Sequence, residues 1–120
     1  MKPLLPVGID LGTTFSAIAH IDHFGQPMVI PNGEGELTTP SVILFEDDRV
    51  VVGTAALQNA IAEPERVVEF VKREMGKGRA EFSRKFGERE YSAEELSSLI
   101  LRKLKQDAEK RLGGTIEDAV

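Results

Sequence analysis

Asp10, Gly12, Thr13 and Thr14 stand close together in the run VGIDLGTTFSAIAHID, Val7 to Asp22, and these residue types at this spacing could handle phosphate. Successive backbone N–H groups in a tight turn form a positive concavity, and a glycine lets an anion come close to the main chain. Two threonines add hydroxyl donors. Asp10 would repel a bare phosphate, so its presence calls for a cation between them, and hydrated magnesium fits best. A plainer reading stands beside this one. In it the turn merely links two strands, Gly12 takes an unusual backbone angle, and the threonines satisfy local amides.

Phosphate transfer also needs positive charge near the terminal phosphate. The turn has none, and the chain holds no GxxxxGK[ST] run. Lys72 and Arg73 are the candidates. The spacing of Val67, Val68, Val71 and Met75 predicts a helix from Pro64 to Met75, with Lys72 at the border of its apolar stripe. The same helix would also allow Lys72 and Arg73 to pair with Glu69 on a solvated face. Other polar residues receive ordinary readings. His20, Asp22 and His23 belong to a strand end and a surface turn without a fourth metal ligand. Glu34 and Glu36 read as solvated loop residues, and Tyr91 as packing near a helix start.

The elements that must position these groups follow from periodicity. Residues 6–11 and 15–21 alternate as two antiparallel strands, with a turn at 22–25 and a short strand from Pro27 to Ile30. The stretch NGEGELTTPS reads as a loop. Val42 to Phe45 and Val50 to Val52 are strands, followed by a short helix over 55–62. A small hairpin is expected around Gly87. Ser92-Ala93-Glu94-Glu95 is a capping box that opens a long helix over about 93–112, closed by Gly113-Gly114. Thr115 to Val120 begins another strand and stops, which suggests a piece of a longer protein.

Composition narrows the classes. Of 120 residues 41% are hydrophobic and 29% charged, with a net charge of -5. That balance, with no long basic face, argues against nucleic acid and anionic membrane surfaces as partners. Cysteine is absent, which excludes disulfides, thiolate catalysis and zinc–thiolate sites and suits a cytoplasmic protein. The start MKPLLPVGID is unlike a signal peptide, and no apolar run approaches the roughly 18 residues of a membrane span.

Taken together, GIDLGTTFSAIAHID resembles the first phosphate loop of the actin-like ATPase superfamily. TTPSVILF (Thr38 to Phe45), VVGTAALQNA (Val51 to Ala60) and FVKREMG (Phe70 to Gly76) resemble segments of the seventy-kilodalton heat-shock chaperones, the DnaK-like proteins. The likeness runs in order to about residue 78 and resumes at Ser92. It implies an α/β fold: an incomplete actin-like (ribonuclease H-like) lobe with a mixed, mostly antiparallel sheet and covering helices. Residues 1–120 would be the N-terminal part of the nucleotide-binding domain, with a smaller inserted subdomain at about 38–112. The parent would bind ATP or ADP with Mg2+ and hydrolyse ATP to drive binding and release of unfolded peptides, aided by co-chaperones. Carried onto this chain, Asp10 would meet magnesium through water, and Gly12, Thr13, Thr14 and the Phe15 backbone would hold phosphates. Lys72 would be catalytic, orienting the attacking water. Gly12→Val would then block nucleotide while leaving the fold largely intact. Two departures stand out: Phe15 replaces a more usual Tyr or Asn, and residues 77–91 form a shorter segment. The rival readings are a sugar or polyol kinase of the same superfamily and a non-catalytic interaction module.

Overall fold

The computed structural model describes residues 6–120. The first two strands are β1 (Val7–Leu11) and β2 (Phe15–Ile21), antiparallel in the register Val7↔His20 to Leu11↔Ser16. Their alternation decides which face is covered. Val7, Ser16 and Ile18 are buried, whereas Phe15 and Ile21 on the opposite face of β2 stay exposed. Strand β3 (Pro27–Val29) pairs with the end of β2, and the two-residue β4 (Thr39–Pro40) pairs with its start. Near the C-terminus Ala119 forms a parallel bridge to Val7, with Val120 N–H donating to Val7 O at 3.0 Å. Ile9 N–H donates to Val120 O at 2.7 Å, so among the described residues the strand expected at 115–120 takes the form of bridges at Thr115 and Ala119.

A second sheet begins immediately after the first. Strand β5 (Ile43–Phe45) lies between β6 (Val50–Val52) and β7 (Val67–Val68), antiparallel to both. A short helix α1 (Thr54–Gln58) follows β6. The hairpin β8 (Arg84–Phe86) and β9 (Arg89–Tyr91) turns at Gly87, as the sequence suggested. Its Phe86 stacks on Phe45 with ring centres 3.8 Å apart, and Tyr91 tilts against the same ring.

One long helix, α2 (Ala93–Leu112), joins the two sheets. Ala93, Leu96 and Ile100 of its first half pack with Ile43, Phe45, Val52, Val68 and Val71. Leu104 and Ala108 of its second half pack with Val7, Ile18, Ile30 and Ile116. Burying a Leu or Ile side chain contributes about 1.5–3 kcal/mol, so the helix ties both sheets into one body. The capping box starts it: Glu95 N–H donates to Ser92 Oγ at 3.2 Å, and Ser92 N–H to Glu95 Oε1 at 3.1 Å. That Ser92 N–H, then the Ser92 side chain, with Arg89 and Arg79 beside it, holds the Glu95 carboxyl down at about 2. Gly113 at φ 69 ends the helix in the left-handed conformation that glycine tolerates best. Among the described residues, no helix is long and apolar enough to cross a membrane.

One expectation is corrected. Residues 64–75 are not a helix. Pro64–Arg66 is a 3-10 turn, Val67 and Val68 pair with Leu44 and Ile43 as β7, Phe70 adopts φ 58, and Val71–Glu74 is a second 3-10 turn. The four apolar residues sit at spacings that a helix could use, but two adjacent β-branched residues suit a strand, and the open edge of β5 supplies their partners. Apart from β4, the 32–41 stretch is the expected loop, with Glu34 exposed, but it is anchored from within. Buried Asn32 accepts from Glu34 N–H at 3.0 Å and Glu36 N–H at 2.8 Å, and its Nδ2 donates to Thr39 Oγ1 at 3.0 Å. Thr54 Oγ1 donates to Glu36 at 2.8 Å, and Lys103 Nζ on α2 reaches Glu34 at 2.9 Å. Both carboxylates therefore fasten the loop to the helices.

Candidate functional site

The segment Gly12–Thr14 closes the β1–β2 hairpin, and its shape is set by side chains outside it. Gly12 N–H donates to Ser16 Oγ at 3.2 Å, and Ser41 Oγ donates to Gly12 O at 2.9 Å. The two serine oxygens are 2.8 Å apart. Because the Ser41 proton is committed to Gly12 O, the proton between the serines belongs to Ser16. The result is a closed ring running from Gly12 N–H through Ser16 and Ser41 back to Gly12 C=O. Ser41 N–H adds a bond to Thr14 O at 2.9 Å. Both serines are only 2% exposed, so the ring is shielded from competing water, where such bonds reinforce one another.

Gly12 is required here for a reason other than anion approach. A Cβ on Gly12 would lie 2.0 Å from the Phe15 carbonyl oxygen and 3.2 Å from its carbon. The turn folds back on itself so tightly that any side chain collides with its own backbone. This corrects the expectation that Gly12→Val would leave the fold largely intact: the collision is internal to the hairpin.

The ring also decides which donors remain open. With Gly12 N–H engaged, no hydrogen bond among the described residues uses the N–H or the hydroxyl of Thr13 or Thr14. Asp10 lies on β1 opposite Ala17, with an exposed side chain. Open amides, open hydroxyls and a carboxylate therefore occupy one end of the hairpin.

The structure brings part of the 64–75 segment to this end. Thr13, Thr14 and Phe15 line a small groove together with Pro40, Glu69 and Phe70. Phe70 is the one described non-glycine residue with a positive φ, and Arg73 stacks its guanidinium over the Phe70 ring, 4.6 Å from the centre. Arg73 thus secures an unusual backbone corner. Lys72 lies in the 3-10 turn just past that corner, exposed, and no ion pair among the described residues includes it or Glu69. The expected pairing of Lys72 and Arg73 with Glu69 does not form, because the helix that would have aligned them is absent. A larger cavity, of about 500 Å³, lies elsewhere, between the β5–β6 turn and the β8–β9 hairpin.

Ser16 and Ser41 were missed in the sequence. Neither is part of an apolar period, and a lone serine gives no sign of its partner. The strand pairing Ser16↔Thr39 is what brings Ser41 to the turn.

Comparison with known proteins bears on the whole chain. The family described as Hsp70 protein matches residues 6–84. Proteins named "Chaperone protein DnaK" from Thermotoga petrophila, Thermotoga neapolitana and Thermotoga maritima are each 45% identical over 115 residues, covering 95% of this chain. The chain spans 19% of the length of these relatives. The family match through β1, the serine-locked turn and the Lys72 segment, joined to 45% identity with DnaK proteins over 95% of this chain, makes this chain a member of the Hsp70 family.

Proposed function

We propose that this chain is the N-terminal part of the nucleotide-binding domain of a DnaK-like chaperone. The protein carrying it binds ATP and Mg2+, hydrolyses ATP, and uses the cycle to bind and release unfolded peptides with the help of co-chaperones, in the cytoplasm. The fold is read as part of an actin-like lobe, with residues of about 38–112 as its smaller inserted subdomain.

The observation that carries this reading is the donor set of the turn. The Thr13 and Thr14 N–H groups and hydroxyls are open, which suits phosphate oxygens. The nearby Asp10 carboxylate suits the water shell of magnesium rather than the phosphate itself. Gly12 contributes the shape of the turn, and the Phe15 backbone continues it. Bound magnesium–ATP would supply the phosphoryl group and a charge that offsets Asp10. The protein's part is to orient the phosphates and shield them from misplaced water. Lys72, free of ion-pair partners among the described residues, is assigned the placement of the attacking water and the stabilisation of charge in the transition state.

Isothermal titration of the full-length protein with magnesium–ATP, followed by single-turnover hydrolysis with and without an unfolded peptide, tests the reading. Binding with peptide-stimulated turnover is expected. Failure to bind magnesium–ATP would overturn it, and stimulation by a sugar or polyol instead of a peptide would reassign the protein to kinase chemistry.

A further inference from the structure

We infer that Ser41, acting through Ser16 and Gly12, is a positioning residue for the phosphates: it fixes the turn so that only the Thr13 and Thr14 donors face the nucleotide. The inference rests on the ATP-binding reading above and adds residues that the sequence did not single out.

The geometry carries it in three steps. First, the ring satisfies both backbone groups of Gly12 with side chains rather than with ligand or water. The bonds are Gly12 N–H to Ser16 Oγ at 3.2 Å, Ser16 to Ser41 at 2.8 Å, and Ser41 to Gly12 O at 2.9 Å. A free glycine amide in the same turn would compete with the threonines for phosphate and leave the turn several conformations. Second, Ser41 is attached twice. Its hydroxyl holds Gly12 O, while its own N–H holds Thr14 O at 2.9 Å. The two ends of the turn are therefore gripped by one residue from another strand connection. Third, the serines are buried and touch no position that a ligand could occupy through their own oxygens, since every proton in the ring is committed within it. Their effect on a nucleotide can only pass through the placement of Thr13 and Thr14.

This differs from simple structural support in a measurable way. A preset turn contributes to binding by removing the ordering cost at the moment the ligand arrives. Loss of the Ser41 hydroxyl frees Gly12 O and the Ser16 proton, and the turn must then be ordered by the ligand. The loss falls on ligands with phosphates and spares those without.

The test uses the full-length protein, wild type against Ser41→Ala, titrated with magnesium–ATP and separately with adenosine. Expected is about a tenfold or greater loss of magnesium–ATP affinity, equal to ~1.4 kcal/mol, with adenosine affinity within about twofold. Equal losses for both ligands, or an unchanged magnesium–ATP affinity in the folded variant, would overturn the positioning role. If wild type itself binds no magnesium–ATP, the failure belongs to the proposed function. Should Ser41→Ala not fold, Ser16→Ala enters the same titrations with the same expectations. Amide hydrogen exchange of the wild-type chain is an independent check. Gly12 should be protected while Thr13 and Thr14 exchange freely, and exchange of Gly12 as fast as that of Thr13 would refute the ring.

Discussion

Replacing Gly12 with alanine should damage the fold itself, before any ligand is considered. A Cβ at this position would sit 2.0 Å from Phe15 O, whereas real Cβ contacts essentially never fall under 3.0 Å, so the turn must open by at least 3.0 − 2.0 = 1.0 Å. Neither atom belongs to a flexible side chain, so the backbone has to move. The Gly12 N–H to Ser16 Oγ bond starts at 3.2 Å, and a shift of that size takes it beyond hydrogen-bonding range. Loss of this ring bond at about 1 kcal/mol, with a buried polar group left short of a partner at about 1–3 kcal/mol, gives about 2–4 kcal/mol. With an unfolding entropy of ~2.1 cal/mol/K per residue, the midpoint of a chain of this size should fall by roughly 10 °C. Urea and thermal unfolding of the 120-residue chain measure this directly. Gly8→Ala is the control: Gly8 is a β1 residue with nothing within 4 Å of its would-be Cβ, and its substitution should be neutral or slightly stabilising. If Gly12→Ala unfolds within about 0.5 kcal/mol of Gly8→Ala, an ordinary surface effect, the reasoning from the ring and the collision is wrong.

Three further outcomes are expected. In the full-length protein, Lys72→Ala should leave magnesium–ATP binding within about tenfold but cut single-turnover hydrolysis roughly a hundredfold, since a cation aimed at the terminal phosphate acts mainly in the transition state; unchanged hydrolysis would return Lys72 to an ordinary surface role. The 120-residue chain alone should bind magnesium–ATP with a dissociation constant of about a millimolar or weaker, because that already requires ~4 kcal/mol from exposed phosphate contacts; micromolar binding by calorimetry would show that the site is nearly complete here. Glu95 titrates at about 2 instead of its ordinary 4.5, so its support of α2 is present above the ordinary value and is lost as pH falls toward the depressed one. Far-ultraviolet circular dichroism should accordingly show wild type losing more helix than Glu95→Gln between about pH 5 and about pH 2, and parallel curves would refute the assignment.

The legible parts of the molecule were those whose signals are local. The β1–β2 alternation ended at the glycine where the hairpin turns, and the Ser92–Glu95 capping box opened α2 at its observed start. Residues 64–75 were misread because Val67, Val68, Val71 and Met75 satisfy helical spacing while the deciding term is the edge of β5, more than twenty residues upstream. The bonds that Glu34 and Glu36 make were not legible because their partners, Lys103 and Thr54, lie far along the chain. The same distance hid the ring: Ser41 is 25 residues from Ser16. At the candidate site, residue types could announce Asp10 and the threonines. What sets the shape of the turn could be seen only once β4 had brought Ser41 to it.

The immediate passage from β4 to β5 has a consequence for how this family can change length. Thr39 to Phe45 runs from the first sheet into the second without slack, and β5 in turn carries β7, from which the chain proceeds to Lys72. A single added residue between Ser41 and Ile43 would exchange the two faces of β5. Ile43 and Phe45 would leave the core under α2, and Leu44 would leave its place beside Ala56 and Val67. An added residue between Val68 and Lys72 would carry the lysine up to about 3.3 Å along the chain from the turn it is meant to serve. The span from Gly76 to Arg84 is held more loosely: it carries no strand, Arg79 pairs with Glu95 at the surface, and Phe82 is only partly buried against the core. Insertions and deletions should therefore accumulate between Gly76 and the long helix and be purged between Thr39 and Lys72. A gap map of many homologues would show a frozen stretch beside an elastic one.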